Sequence, residues 1–336
     1  MVRVLLVRHA QSMQNAYMEG VAARISRGEL APTELNKAMR DAPENMDAGA
    51  DAPLTAKGAA QAELLGEAWA PLLAERARAG KLKLFVSPFL RTLGTADPLM
   101  KRLTELVPSF SATLLPAIME KGGLTAPENF RNFDTIDAMT RAGKRAEAME
   151  FLKAIEWQPM GMSGEEIEQL FPWSRSAAGE DDLCLPGDVT VPRDDHWWHR
   201  GYESTKAAAT RVAEVVTWLE RDLREDVPGD TVVVLVTHGG TIAALVEALL
   251  GFSEELSADG IRNTSVTSLL MPSTSASAAM PNIGGSTGQV RSRPLRCLSH
   301  IRPVWSLMCH AAPLTHNGII VACALHRRPS APRSSY

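Results

Sequence analysis

Residues 272–336 contain no Asp, Glu or Lys, although seven Arg occur there. The chain has 39 acidic and 35 Lys or Arg residues over 336 positions, so its formal net charge of −4 conceals two unlike parts. Residues 1–271 carry 28 basic against 39 acidic side chains, an acidic balance that speaks against a nucleic-acid surface as the main business. Cysteine is scarce as well. Of the four, Cys184, Cys297, Cys309 and Cys323, three fall in the acid-free tail. That placement gives no disulfide framework, and a reducing, cytoplasmic setting fits better. No apolar run reaches the roughly 20 residues that a membrane helix needs. The longest late stretch, Ile242 to Phe252, holds Glu247, so no membrane association is expected. The N-terminus lacks a basic leader, and its apolar run reads as a strand rather than a signal peptide. Neither nucleotide fingerprint, G-x-x-x-x-G-K-[ST] nor G-x-G-x-x-G, is present.

What is present is a hydrophobic fraction of 45%, enough for one large α/β domain or two smaller ones. Val2 to Val7 and Thr231 to Val236 are apolar runs of strand length, and Lys81 to Val86 alternates. Leu64/Leu65, Ala68/Trp69 and Leu72/Leu73 recur at helical spacing before Arg76, Arg78 and Gly80. Leu93, Ala96, Leu99, Leu103 and Leu106 mark another helix, and so do Ala208, Val212, Val215, Leu219 and Leu223. A helix is expected over 241–250, stopped by Gly251, and a last strand over 263–270. Strands alternating with helices imply a three-layer α/β fold with a mainly parallel sheet. Residues 16–50 and 121–200 show little period and are expected to be lid insertions, with a helical stretch near 137–156 and a loop at 157–164. Residues 272–336 read as a low-complexity, flexible tail with one apolar patch at Ile319 to Leu325, or as translation outside the natural reading frame.

Several reactive side chains stand where strands end. Arg8-His9 follows the first run, Ser87-Pro88-Phe89-Leu90-Arg91 follows the alternating one, and Thr237-His238-Gly239-Gly240 follows the third. Glu120 closes the segment Leu114 to Met119. In a parallel sheet those ends share one edge, where open α/β sheets bind ligands. Two Arg and two His at one edge make an oxyanion site, because guanidinium offers planar, permanent donors that fit a tetrahedral phosphate. Helix starts after Ser12 and Gly240 add backbone N–H groups. Ser12, Gln11 and Thr237 fit capping roles as well as any chemical one. His196-Trp197-Trp198-His199 lacks a completing Cys or carboxylate set, and an aromatic anchor is the simpler reading.

The set Arg8-His9-Ala10-Gln11-Ser12 with Asn15, Leu54-Thr55 with Gly58 and Gln61, Ser87-Pro88 with Arg91, Glu120, and Thr237-His238-Gly239-Gly240 resembles the histidine phosphatase superfamily, which includes cofactor-dependent phosphoglycerate mutases. Asn263 with Ser265-Val266 looks like that family's closing strand. The resemblance covers residues 1–271 discontinuously. It implies that His9 is the nucleophile and forms a phosphohistidine. It further implies that Arg8, Arg91 and His238 grip the phosphoryl oxygens and that Asn15 adds a neutral donor. Glu120 is the implied acid and base, which asks for a partly buried carboxyl; Glu128 or nearby polar residues are alternatives. No metal and no other cofactor is implied, and the partner is a small phosphorylated substrate. The mutases of this family have a Glu-Arg-rich motif after the acid. Here Lys121-Gly122-Gly123-Leu124-Thr125 follows, which points to phosphomonoester hydrolysis over mutase-type transfer. A non-catalytic phosphate- or protein-binding member would be expected to have lost at least one of these residues.

Overall fold

The computed structural model describes residues 1–34, 38, 51–120, 123–124, 138–153, 158–175, 191–200, 202–203, 205–223, 227–250, 261–271, 314–316 and 319–324. The central strands are β1 (Val2–Arg8), β2 (Leu82–Val86), β3 (Ala112–Leu114), β6 (Ser174–Arg175) and β9 (Val232–Thr237), with β10 (Val266–Met271) beside them. Two minor ribbons pair β4 (Gly123–Leu124) with β8 (Tyr202–Glu203), and β5 (Gln158–Ser163) with β7 (His196–Arg200). The last strands are β11 (Leu314–His316) and β12 (Ile319–Ala324). The main sheet runs β11-β12-β10-β1-β9-β2-β3-β6. From β1 to β6 every pairing is parallel, whereas β10, β12 and β11 add on antiparallel.

The strands β1, β9 and β2 are apolar on both faces because both faces are covered. Val2, Val4 and Leu6 of β1 pack with Val233 and Leu235 against helix α6 (Thr205–Thr217), the π-turn Trp218–Asp222 and helix α7 (Gly239–Leu250). Leu5 and Val7 pack with Val234 and Val236 against α2 (Ala56–Arg78) and α3 (Leu90–Leu106). Full burial of each such side chain contributes about 1.5–3 kcal/mol. The result is the expected three-layer α/β architecture. No helix among the described residues is long and apolar enough to cross a membrane.

Several expectations need correction. Helix α1 (Met13–Ser26) runs well into the region expected to be irregular. A Ser12–Asn15 capping box starts it, and Val21 is its buried residue, so there is no apolar stripe for periodicity to show. In each Leu pair of α2 one partner faces out: Leu65 and Leu73 are buried, while Leu64 and Leu72 are exposed. The stretch 137–156 is split by Gly143, at φ +73°, into a single turn and α4 (Arg145–Lys153). The expected loop at 157–164 contains β5, whose Pro159 and Gly161 hide any alternation; its register shifts between Met160 and Ser163. A short helix, α5 (Gly164–Leu170), follows it. The last core strand begins at Val266, because Thr264 turns through φ +56°. In the tail, the apolar patch forms β12, which pairs with β10 from Val266↔Ala324 to Leu270↔Ile320, and β11 lies outside it. Glu128, Lys121-Gly122 and Cys184 lie outside the described residues.

Candidate active site

The sheet register assembles the site. Arg8 lies beside Thr237 and Val86 beside Val236, so the residues that follow, His9, His238 and Ser87, leave the sheet side by side. The His9 and His238 rings meet edge to face, 5.3 Å between centroids and 62° apart. Both are buried.

His9 is held by its backbone and by one ring nitrogen. Its N–H donates to the Thr237 carbonyl at 2.8 Å, and its own carbonyl accepts the Asn263 Nδ2 at 3.0 Å. Nδ1 lies 2.7 Å from the Ala10 carbonyl oxygen. A carbonyl only accepts, so Nδ1 carries the proton and Nε2 keeps its lone pair. Burial and then the charges of Arg91 and Arg8 hold the His9 pKa well below its ordinary value, against the opposing Ala10 bond. The ring is therefore neutral at Nε2.

His238 is also kept neutral, by burial first and then by Arg91, His9, Arg211 and Arg8. Its Nε2 is 3.0 Å from Ser87 Oγ. Its Nδ1 is buried without a hydrogen-bond partner among the described residues and faces Glu120 Oε2 at 3.8 Å. A hydroxyl both donates and accepts, so the Ser87 contact holds the ring in place with the proton on either nitrogen.

Arg91 lies in the first turn of α3. Its Nη2 donates to Glu120 Oε2 at 2.6 Å, while Nε and Nη1 are buried without hydrogen-bond partners among the described residues. The guanidinium carbon sits 4.2 Å over the Phe89 ring, which also meets His238 edge on. The Thr95 hydroxyl donates to the Arg91 carbonyl at 2.6 Å and accepts the Ala10 N–H at 2.8 Å, tying this helix to the His9 loop. Arg8 is half-buried and donates to the Ile261 carbonyl. Asn15 has its Oδ1 occupied by the Ser12 N–H at 3.3 Å and by Asn263 Nδ2 at 3.0 Å, which leaves its NH₂ as the donor the side chain can offer.

Glu120 is exposed, at 43% of its side-chain surface, and not the partly buried carboxyl that the sequence led one to expect. The segment that carries it is fixed through four successive carbonyls. Arg211 donates to Ala117 at 2.9 Å, Met119 at 3.2 Å and Glu120 at 3.2 Å. Thr237 donates to Ile118 at 2.5 Å, and Thr241 donates to Met119. Each of these donors comes from β9, α7 or α6, so the rim of one strand is locked to the mouth of another.

Sequence reasoning named Arg8, His9, Asn15, Arg91, Glu120 and His238. The structure brings His9, Arg91, Glu120 and His238 together, with Arg8 bonded to Ile261 and Asn15 to Asn263. It also adds residues that sequence reasoning passed over. Thr95 stands four residues after Arg91, on the same helical face, a spacing open to reading. Arg211 borders the apolar stripe of α6. Asp51 precedes the Leu54-Thr55 motif in a stretch without period, and nothing in that stretch signals that its carboxyl meets Arg91 at 3.9 Å.

A family model described as the histidine phosphatase superfamily, branch 1, matches residues 4–120 and 131–284. The chain belongs to that superfamily. Among solved structures, the ecdysone phosphate phosphatase from Bombix mori is similar at 17% identity and a TM-score of 0.43, covering 87% of this chain and 98% of that one. A mycobacterial glucosyl-3-phosphoglycerate phosphatase is similar at 18% identity and a TM-score of 0.35, covering 80% and 92%. A phosphoglycerate mutase from Bacillus anthracis is similar at 18% identity and a TM-score of 0.40, covering 80% and 87%. No curated protein matches the chain. As a member of this superfamily the protein is a phosphoryl-transfer enzyme.

Proposed function

We propose that the protein hydrolyses phosphomonoesters of small metabolites without a metal ion, through a phosphohistidine at His9. One observation carries this reading. The Nδ1 proton of His9 is committed to the Ala10 carbonyl at 2.7 Å, so Nε2 presents a lone pair beside a buried guanidinium. In the first step Nε2 attacks phosphorus and the bond to the ester oxygen breaks. Glu120 gives its proton to the departing alkoxide. In the second step Glu120 takes a proton from water, the hydroxide oxygen bonds to phosphorus, and the P–N bond breaks. Inorganic phosphate leaves and His9 is restored.

The donors of Arg91, Arg8 and His238 grip the non-bridging oxygens and stabilise the charge of an in-line transfer. Asn15 contributes its NH₂. Glu120 is paired with Arg91 at 2.6 Å; an arriving dianion competes for the same guanidinium, and the released carboxylate takes up a proton from solvent before giving it to the departing alkoxide. The stretch after Glu120 lacks the Glu-Arg-rich motif of the mutases, which supports water as the acceptor.

Turnover of p-nitrophenyl phosphate tests the reading. It should persist in EDTA and be inhibited by vanadate, which mimics the five-coordinate transition state. Activity that disappears on chelation and returns with a divalent ion contradicts it.

A further inference from the structure

Asp51 is a buried carboxyl that the proposed chemistry leaves unused. Its Oδ1 accepts the Leu90 N–H at 2.7 Å and so caps α3, where Phe89 makes no side-chain cap of its own. Its Oδ2 is buried and has no hydrogen-bond partner among the described residues. The charged group beside it is Arg91, whose Nη1 lies 3.9 Å from Oδ1. One guanidinium thus has a carboxyl on two sides: Asp51 behind it, and Glu120 in front at 2.6 Å. Burial raises the Asp51 pKa to about 7, outweighing Arg91 and the Leu90 N–H. The carboxyl is therefore poised to change charge near neutrality.

A dianion at the front of Arg91 adds negative charge facing Asp51 and draws on the same positive charge. An ionised Asp51 then loses its compensation, and a neutral one does not. We propose that Asp51 is a positioning residue that balances charge behind Arg91, taking a proton from solvent when a dianion enters the site and returning it when the dianion leaves. The proposal rests on the reading of the pocket as a phosphate site. It gives Asp51 a part in affinity and release that its helix-capping bond alone does not explain.

Other groups around the anion also titrate or carry charge: His9 on the loop after β1, His238 at the start of α7, Glu120 at the rim, and Arg8. They are present in both the wild type and Asp51→Asn, so the difference between the two isolates Asp51. The Asn side chain keeps an acceptor for the Leu90 N–H.

Sulfate, a dianion throughout the neutral range, is the probe. Its binding is measured by titration calorimetry in buffers of different ionisation heat, which counts the protons taken up. Just above the Asp51 value of about 7, the wild type is expected to take up close to one proton more than Asp51→Asn. Its sulfate affinity should also fall more steeply with rising pH, by up to about tenfold per unit. Equal proton counts and equal slopes overturn the role of Asp51. Sulfate that does not bind at all removes the anion site, and this inference with it.

A second measurement needs no change at Asp51. In Glu120→Gln, infrared difference spectra should still gain a protonated-carboxyl band when sulfate binds. Its absence there also overturns the proposal.

Discussion

A carbonyl oxygen accepts and never donates, so the Ala10 carbonyl decides which nitrogen of His9 is bare. The same kind of argument applies to Arg91. Its three nitrogens do different things: Nη2 holds Glu120 at 2.6 Å, while Nε and Nη1 lie buried without hydrogen-bond partners among the described residues. A planar fork supplies several directed donors where an ammonium supplies a point charge. Arg91→Lys keeps the charge and loses the geometry. It is expected to lower kcat/KM by about 100-fold or more, with an unchanged circular dichroism spectrum. A variant that retains nearly full activity would show that charge alone suffices at this position.

Among the elements, the close approach of α2 to the His9 loop is the tightest constraint. A Cβ on Gly58 would stand 2.0 Å from the Gln11 carbonyl oxygen, so glycine is required there by space rather than by backbone conformation. Thr55, the N-cap of α2, accepts the Gly58 N–H at 2.9 Å and donates to Gln11 Oε1 at 3.0 Å, binding the two segments further. Gly58→Ala must push α2 off this loop. It is expected to cost about 1–3 kcal/mol, read as a lower urea midpoint, and to reduce activity because His9 follows the displaced loop. A midpoint equal to the wild type would mean that the loop yields freely.

The elements also show what was legible in the sequence. Strands β1 and β9 announced themselves because they are buried on both faces, β2 showed itself by alternation, and the ends of all three carried the Arg, His and Ser residues of the site. Helices α3 and α6 showed their apolar stripes. By contrast, α1 gave no stripe because little of it is buried, and β5 was concealed by Pro159 and Gly161. Asp51 was illegible for another reason. Its importance comes from contacts with Leu90 and Arg91, about 40 residues away along the chain, and no local spacing encodes that. The anchoring of Glu120 by Arg211, Thr237 and Thr241 is long-range in the same way.

At the scale of the whole molecule, three buried titratable groups couple stability to pH. His9 and His238 have folded pKa values well below the ordinary 6.5. The unfolded chain therefore binds more protons below that value, and their contribution to stability is lost as pH falls through 6.5. Asp51 acts in the other direction. Its folded pKa is about 7 against an ordinary 3.8, so its contribution is present at low pH and is lost as pH rises between those values. A stability maximum is expected between the acid loss and the alkaline one. The stability difference between Asp51→Asn and the wild type, read from their Tm values, should move in the variant's favour as pH rises through this window, by a free energy bounded at about 4 kcal/mol. A difference that stays flat with pH would contradict the burial argument for Asp51.

The sheet carries the same logic to its edge. β1 and β9, which bear the proposed nucleophile and its partner histidine, sit inside the sheet, with β10 and β2 outside them. The pocket is thus built on strands paired on both sides, while β11 and β12 extend the sheet beyond β10.

The central claim is that His9 carries the phosphoryl group. Rapid quenching of the enzyme with a radiolabelled phosphomonoester tests it most directly. The account predicts an acid-labile, alkali-stable label, close to one per chain, in the wild type with EDTA present, and none in folded His9→Ala. Label of the same kind and amount in His9→Ala would contradict it.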